Sequence, residues 1–275
     1  MTILAQITDL HQRPNGLTCY RVSDTNMLAE RAINALMAQT PRPDAVIVTG
    51  DLTDKSDPRE YAQVRRLLKK LPMPVYVIPG NHDGSADMAR ELAEFAPDNV
   101  GLDGKLHYVA EVGKLRLIAL DTHVPGKPHG EIGTLQLEWL AGELAASDKP
   151  TVVALHHPPI PTGFAHMDRI GLVDAAALAE VLRPHAHVER IICGHVHRPI
   201  IASFAGKTLT IAPATGHQVV LDLDPEAPAQ FNFDPAAYYL HAWIEPFGLV
   251  THTAYVENHE GPFPFWADEG VSWGG

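Results

Sequence analysis

An α/β fold built on parallel strands follows from three features of this 275-residue chain. Short apolar runs alternate with segments of helical periodicity over the first two hundred residues. The runs at 45–48 and 152–155 are continuously apolar, as strands covered on both faces are. Five short polar segments, rich in Asp, Asn and His, each begin where an apolar run stops. In open α/β sheets, ligands collect outside the carboxyl ends of the strands.

Taken in order, residues 3–8 form a strand ending at Asp9-Leu10-His11. Asp24 caps a helix in which Met27, Leu28, Ala32, Ile33, Leu36 and Met37 recur with a 3.6-residue period. Residues 45–49 form a strand running into Gly50-Asp51. Asp57-Pro58 then opens a helix with Pro at its first position and Tyr61, Val64, Leu67, Leu68 and Leu71 on one face. Residues 75–78 are the third strand and deliver Gly80-Asn81-His82-Asp83. A helix over about 85–95 precedes two strands, near 106–111 and 115–120, joined by a Gly113-Lys114 turn. After a Gly/Pro-rich loop at 125–133, Thr134 caps a helix containing Leu135, Leu137, Trp139, Leu140 and Leu144. Residues 151–155 lead into His156-His157, and 188–193 into Gly194-His195-Val196-His197.

Beyond residue 200 the pattern changes. Segments 200–204, 208–212 and 219–222 are strand-like and joined by tight turns. The tail after Pro225 is rich in aromatics, and 238–245 can pair with 249–256 across the Pro246-Phe247-Gly248 turn. The expected organisation is therefore a domain over 1–224 and a C-terminal cap over 225–275. The tail's aromatic residues suit docking on the parent domain or on a second subunit, which makes a homo-oligomer expected.

Composition narrows the function. The formal net charge is −12, and nine acidic residues follow the last basic residue, Lys207. Such a surface repels long polyanions, which argues against long nucleic acid as a partner. No apolar run reaches membrane-spanning length, and Asp9 interrupts the first one, so neither a membrane span nor a secretory leader is expected. Two cysteines, Cys19 and Cys193, make no disulfide framework, which suits the cytoplasm. Cys193 is expected to be a small buried apolar residue. Tyr20 is expected in the core, with the mouth of the pocket as the alternative.

The five polar segments supply a donor set for metals. Asp9 and His11, one residue apart, can serve the same ion, and the two oxygens of Asp51 can bridge two cations. Asn81 offers an amide oxygen, and His156, His195 and His197 offer imidazole nitrogen. Mixed N/O donors without thiolate suit Fe, Zn, Mn or Co better than Ca or Mg. Two such ions can share a water or hydroxide as nucleophile and clamp a phosphoryl group for in-line displacement. His82, beside Asn81, faces the substrate, where it stabilises developing charge or protonates the leaving oxygen. Asp83 orients His82 or a neighbouring backbone group. His157 shapes its strand end or meets a carboxylate.

With Pro158-Pro159, Met167-Asp168, Thr215-Gly216-His217-Gln218 and Gly261-Pro262, these segments resemble the calcineurin-like metallophosphoesterase superfamily over nearly the whole chain. The likeness is to its class III cyclic nucleotide phosphodiesterase branch, and within it to the bacterial glycerophosphodiesterases. The resemblance implies a two-sheet α/β sandwich flanked by helices, with a C-terminal cap that assists oligomerisation. It implies one metal on Asp9, His11, Asp51 and His197, a second on Asp51, Asn81, His156 and His195, and His217 in the outer sphere near the substrate. Val196 departs from the polar residue that the glycerophosphodiesterases carry there. The expected activity is hydrolysis of small phosphodiesters, glycerophosphodiesters first, with Asp51, Asn81 and His82 at the reacting centre. The alternatives are a 3′,5′- or 2′,3′-cyclic nucleotide phosphodiesterase and an inactive metal-stabilised binding module. Leaving-group recognition is expected in the loops at 125–133 and 160–168, with the tail as a further candidate.

Overall fold

Two sheets pack face to face, with helices on both outer sides. The computed structural model describes residues 1–96, 101 and 104–263. The first half contains β1 (Thr2–Ile7), α1 (Thr25–Ala38), β2 (Ala45–Thr49), α2 (Pro58–Leu68), β3 (Val75–Ile78) and α3 (Ser85–Glu91). Then come β4 (Tyr108–Val112), β5 (Leu115–Ala119), α4 (Thr134–Ala145), β6 (Thr151–Ala154), α5 (Ala165–Asp168), α6 (Ala175–Leu182) and β7 (Val188–Cys193). The chain continues through β8 (Ile200–Phe204), β9 (Lys207–Ile211), β10 (Gln218–Val219), β11 (Phe231–Asn232), β12 (Ala237–Ile244) and β13 (Gly248–Tyr255).

One sheet has the order β13-β12-β1-β2-β3 and the other β4-β5-β6-β7-β9-β8, with β10 and β11 paired separately. Strands β1, β2 and β3 run parallel, as do β5, β6, β7 and β9. Period-two alternation sorts the side chains of β1. Ile3, Ala5 and Ile7 face the core shared with α1, α2 and α3, whereas Leu4 joins Tyr108, Leu117, Val152 and Ile192 between the sheets. A third cluster seats α4 and α6 on the outer face of the second sheet through Leu140, Leu144, Leu178 and Leu182.

Local chemistry sets the helix starts. The Asp24 carboxylate accepts from the Met27 N–H at 3.1 Å, as expected for the cap of α1. At α2, Asp57 and Glu60 form a reciprocal capping box ahead of Pro58. Thr134 does not cap α4. It is the first helical residue, and Gly133 occupies the cap position at φ +83°, a conformation that suits glycine. Asp174 instead accepts from the N–H groups of Ile132 and Gly133 just before the helix.

The tail differs from expectation in its central part. The hairpin expected near 238–256 is present as β12 and β13, but it belongs to the first sheet and not to a cap. Strand β12 lies antiparallel to β1 from Thr2↔Trp243 to Gln6↔Tyr239. The reason is burial: Tyr238, Leu240 and Ala242 complete the helix-side core, while His241 bonds Gln6 Oε1 at 3.1 Å and Thr251 Oγ1 at 2.9 Å. Phe265, Trp266 and Trp273 of the expected cap lie outside the described residues. Among the described residues no helix is long and apolar enough to cross a membrane.

A chain ending at residue 224 would leave β1 without its antiparallel neighbour and remove part of the core. It is expected to lose the cooperative thermal transition seen by near-ultraviolet circular dichroism. An intact transition would show that residues 225–275 are dispensable to the sheet.

Candidate metal centre

The carboxyl ends of the parallel strands of both sheets meet at one seam. The loops leaving β1 and β2 are stitched together there: Asp9 N–H donates to the Gly50 carbonyl, His11 N–H to Asp51 and Gln12 N–H to Leu52, at 2.9–3.1 Å. Gly194 N–H donates to the His156 carbonyl at 3.1 Å, which joins the loops after β6 and β7. Five of the seven expected metal donors turn through the left-handed region: Asp9 (φ 55°), His11 (41°), Asp51 (50°), His195 (72°) and His197 (52°). Non-glycine residues seldom adopt that conformation, and such strain concentrates at functional sites.

Glycine is required where the donors crowd. A Cβ on Gly80 would collide with Asp51 Oδ1 and lie 2.5 Å from the Asp51 nitrogen. One on Gly50 would enter the His156 ring, and one on Gly194 would meet Thr8 Oγ1 and lie 2.7 Å from the Thr49 carbonyl oxygen. Each glycine in these motifs therefore makes room for a donor carried by another segment.

Asp9, His11, Asp51 and His197 bring four ligand atoms within 4.8 Å of one another. His197 Nδ1–H donates to the His217 carbonyl at 2.9 Å, which leaves Nε2 facing Asp9 Oδ1 at 3.2 Å and His11 Nε2 at 3.1 Å. A second group adjoins the first. His156 Nδ1–H donates to the Thr49 carbonyl at 2.7 Å, and its Nε2 lies 3.4 Å from Asp51 Oδ2 and 3.3 Å from Asn81 Oδ1. His195 is in ring contact with His156, its Nε2 is buried without a hydrogen-bond partner, and its N–H donates to Asp9 Oδ2 at 3.1 Å. His157 is near both rings and could be counted a donor. Its two nitrogens are already engaged, Nδ1 with Thr122 Oγ1 at 2.7 Å and Nε2 with the Pro128 carbonyl at 3.2 Å. It meets no carboxylate. Its task is to hold the loop at 125–133.

Asp83 accepts from the N–H groups of Leu52, Thr53 and Gly80 and from Thr53 Oγ1, at 2.8–3.1 Å. It thereby pins the Asp51 loop to the Gly80 turn, and it orients backbone, not His82. Burial and then the Asp51 charge push its carboxyl up to about 6 against those four donors. Burial alone would also raise Asp9, but His197, by charge and hydrogen bond, brings it down to about 2. Asp51 is held well below the carboxylate range, since His156 and His82 outweigh its desolvation. Conversely, burial disfavours the charged His156 ring, but Asp51 prevails and raises it to about 9. His195 is pushed down to about 3 by burial and the neighbouring His156. The seam thus holds anionic carboxylates beside imidazole rings, with His195 kept neutral and His156 protonated by its carboxylate partner. These oxygen and nitrogen donors fit divalent metal ions that take the place of that proton.

Of these donors, His11, Asp51, Asn81, His195 and His197 form the floor of a cleft of about 340 Å³. His82 lines it, with Nδ1–H donating to the Asp54 carbonyl at 2.9 Å. The Asp54 carboxylate, which the five sequence segments did not flag, lies 3.7 Å from His11 Nδ1 and 3.8 Å from His82 Nδ1. Arg13 binds it at 2.8 Å and binds Glu60 at 2.7 Å. Its place three residues after Asp51 was the one available signal. Tyr20 is 56% exposed on the cleft wall and not in the core. His166 and Met167 come from the loop expected to recognise a leaving group. The loop at 125–133 contributes nothing to the lining, and Val219, Ala229, Gln230 and Phe231 take that place. Val196 is buried in the second sheet's outer core, so its departure from a polar residue is a packing matter. Cys193 is fully buried, and burial raises its thiol well above the usual range.

Replacing Gly80 with Ala should displace Asp51 and destabilise the fold by about 2 kcal/mol or more, since overpacked sites with rigid neighbours cost this much. Denaturant titration checks it, and a change below about 0.5 kcal/mol would show that the turn yields without disturbing the donors.

The sequence profile described as calcineurin-like phosphoesterase matches residues 3–199. Over 270 residues the chain is 36% identical to a probable glycerophosphodiester phosphodiesterase of Arcobacter nitrofigilis, covering 98% of each protein. It is 38% identical over 218 residues to a cAMP/cGMP dual specificity phosphodiesterase of Mycobacterium tuberculosis, covering 78% of this chain and 67% of that one. The fold is similar to that of a dimetal phosphatase from Danio rerio, with a TM-score of 0.68 at 17% identity over 93% of this chain and 99% of the other. The profile match and the full-length identity make the chain a member of the calcineurin-like phosphoesterase family.

Proposed function

We propose that the protein is a phosphoric diester hydrolase acting on small diesters through two divalent metal ions, with glycerophosphodiesters as the favoured substrates. The observation that carries this is the position of Asp51 Oδ2, 3.7 Å from His11 Nε2 and 3.4 Å from His156 Nε2, between the two donor groups. Asp9, His11, Asp51 and His197 would hold one ion, and Asp51, Asn81, His156 and His195 the other. Fe, Zn, Mn and Co suit these donors. When bound, such ions supply an activated water and neutralise charge on phosphoryl oxygens.

The chain's own residues supply positioning and proton handling. Backbone carbonyls engage Nδ1 of His156 and His197, which fixes each tautomer and turns Nε2 toward the ions. The Asp54 carbonyl takes the Nδ1–H of His82 and turns its Nε2 into the cleft, where the protonated ring can donate to a phosphoryl or leaving oxygen. Ring contact at 4.7 Å keeps His82 beside His11. His217 lines the wall 4.9 Å from the His197 ring, where it can touch the substrate. Among the described residues no Lys or Arg lines the cleft, so the second negative charge of a monoester would find no lysine or arginine partner. Cyclic nucleotides are the second reading, favoured by the identity to the Mycobacterium tuberculosis enzyme.

With Mn²⁺ the protein is expected to hydrolyse bis(p-nitrophenyl) phosphate. No turnover at full metal occupancy would favour a binding module instead. Asn81→Ala should lower the bound metal from two ions toward one and cut the rate roughly 100-fold or more, beyond the 10–100-fold that an outer partner costs. Unchanged stoichiometry and rate would contradict the assignment.

Ion binding should also depend on pH. Without metal, His156 stays protonated until about pH 9, and a coordinating nitrogen must be bare. Binding therefore expels a proton, and apparent affinity is expected to rise as pH increases from neutrality toward that value. Calorimetry in buffers of different ionisation enthalpy measures the proton released. A buffer-independent heat would count against His156 as a ligand.

A further inference from the structure

Above the donors, one wall of the cleft is made of rings. Tyr20, His217 and Phe231 all line it, with centroids 5.3 Å apart for Tyr20–His217, 5.2 Å for Tyr20–Phe231 and 4.9 Å for His217–Phe231. Their planes are inclined to one another by 89°, 38° and 58° respectively, so the rings make a corner and not a flat platform. Resting on the phosphodiesterase reading, we propose that this corner is a headgroup subsite for a quaternary ammonium, so that the preferred diester carries a choline-like trimethylammonium ester.

Four observations support this choice. Ring faces attract cations, and a compact, rounded trimethylammonium can touch several inclined rings at once. A flat nucleobase can stack on only one of them. Among the described residues no lysine or arginine lines the cleft to repel a cation. The loop joining Val219 to Phe231, both of which line the cleft, carries exposed Asp222, Asp224 and Glu226 and no basic residue. That loop makes the local field attractive to a positive headgroup and unfavourable to a nucleotide with further phosphates.

The corner also discriminates among cations. A primary ammonium brings three N–H donors that need acceptors. Among the described residues, no carboxylate beyond Asp51 lines the cleft, and Met167, Ile170, Val219 and Ala229 are apolar. An ethanolamine ester would find neutral acceptors such as Gln230 but no anionic partner for its three donors there, and incompletely met polar groups are where a site gains discrimination. A trimethylammonium has no such donors and buries methyl groups against the same surface.

The test compares kcat/KM, in the metal-loaded full-length protein, on glycerophosphocholine, its neutral 3,3-dimethylbutyl isostere, glycerophosphoethanolamine and cyclic AMP. Glycerophosphocholine is expected to exceed the isostere roughly tenfold, the scale of a partly desolvated cation–π contact. In Tyr20→Leu and Phe231→Leu that ratio should fall toward one, and in Tyr20→Phe, which keeps the ring, it should persist. Because the readout is a ratio, a general loss of stability does not mimic it. Equal rates on the choline ester and its isostere would overturn the subsite while leaving the phosphodiesterase reading intact. So would a ratio indifferent to Tyr20 and Phe231, or a preference for cyclic AMP that depends on them. If none of these diesters nor bis(p-nitrophenyl) phosphate is cleaved, the phosphodiesterase reading itself falls, and the subsite with it.

Discussion

Two carboxylates buried at the seam between the sheets impose the constraint that the surrounding structure answers. Asp9 and Asp51 are each almost wholly removed from water. An isolated buried anion costs far more than a single contact can return, so such groups persist only among partners that stabilise their charge. Here His197 and His156 face the carboxylates side chain to side chain, while the His195 and His82 N–H groups donate to them. The two carboxylates and these partners come from five separate loops. Their convergence ties the two sheets at the same edge where the chemistry resides.

Bringing five loops so close demands an unusual backbone. The donor-bearing ends of β1, β2 and β7 turn sharply through the left-handed region, and Gly50, Gly80 and Gly194 stand where a neighbouring segment comes within contact distance. The cost of that conformation is offset by a dense set of hydrogen bonds. The first and second loops run side by side through Asp9, His11 and Gln12, and Asp83 clamps the second loop to the third. Donors fixed in this way need little reorganisation on meeting a cation, which is the advantage of a preorganised site.

The cleft has two chemically distinct halves. Its floor is charged and rigid, set by strand ends and backbone carbonyls. Its wall is aromatic and aliphatic, set by a short helical segment and by the β10–β11 hairpin. The floor can handle any phosphate ester, so discrimination among substrates falls to the wall. Such a division is compatible with relatives of 36% and 38% identity carrying names for different diesters.

The donor segments and the parallel-strand framework were legible in the chain itself, because they depend on local rules. An apolar run makes a strand, Asp24 and Asp57 cap the helices that follow, and glycine beside a polar donor marks a tight turn at a strand end. Pairing across long separations was not legible. Strand β12 meets β1 more than two hundred residues away because Tyr238, Leu240 and Ala242 complete a core that no local pattern announces. Likewise, only the folded arrangement decided that His157 is spent on Thr122 and Pro128, that Asp54 serves two histidines, and that Tyr20 and Phe231 share a wall. Residue types and their spacing declare what a side chain can do. Which partner it meets is a property of tertiary packing, since the energy of each contact depends on groups that the sequence holds far apart.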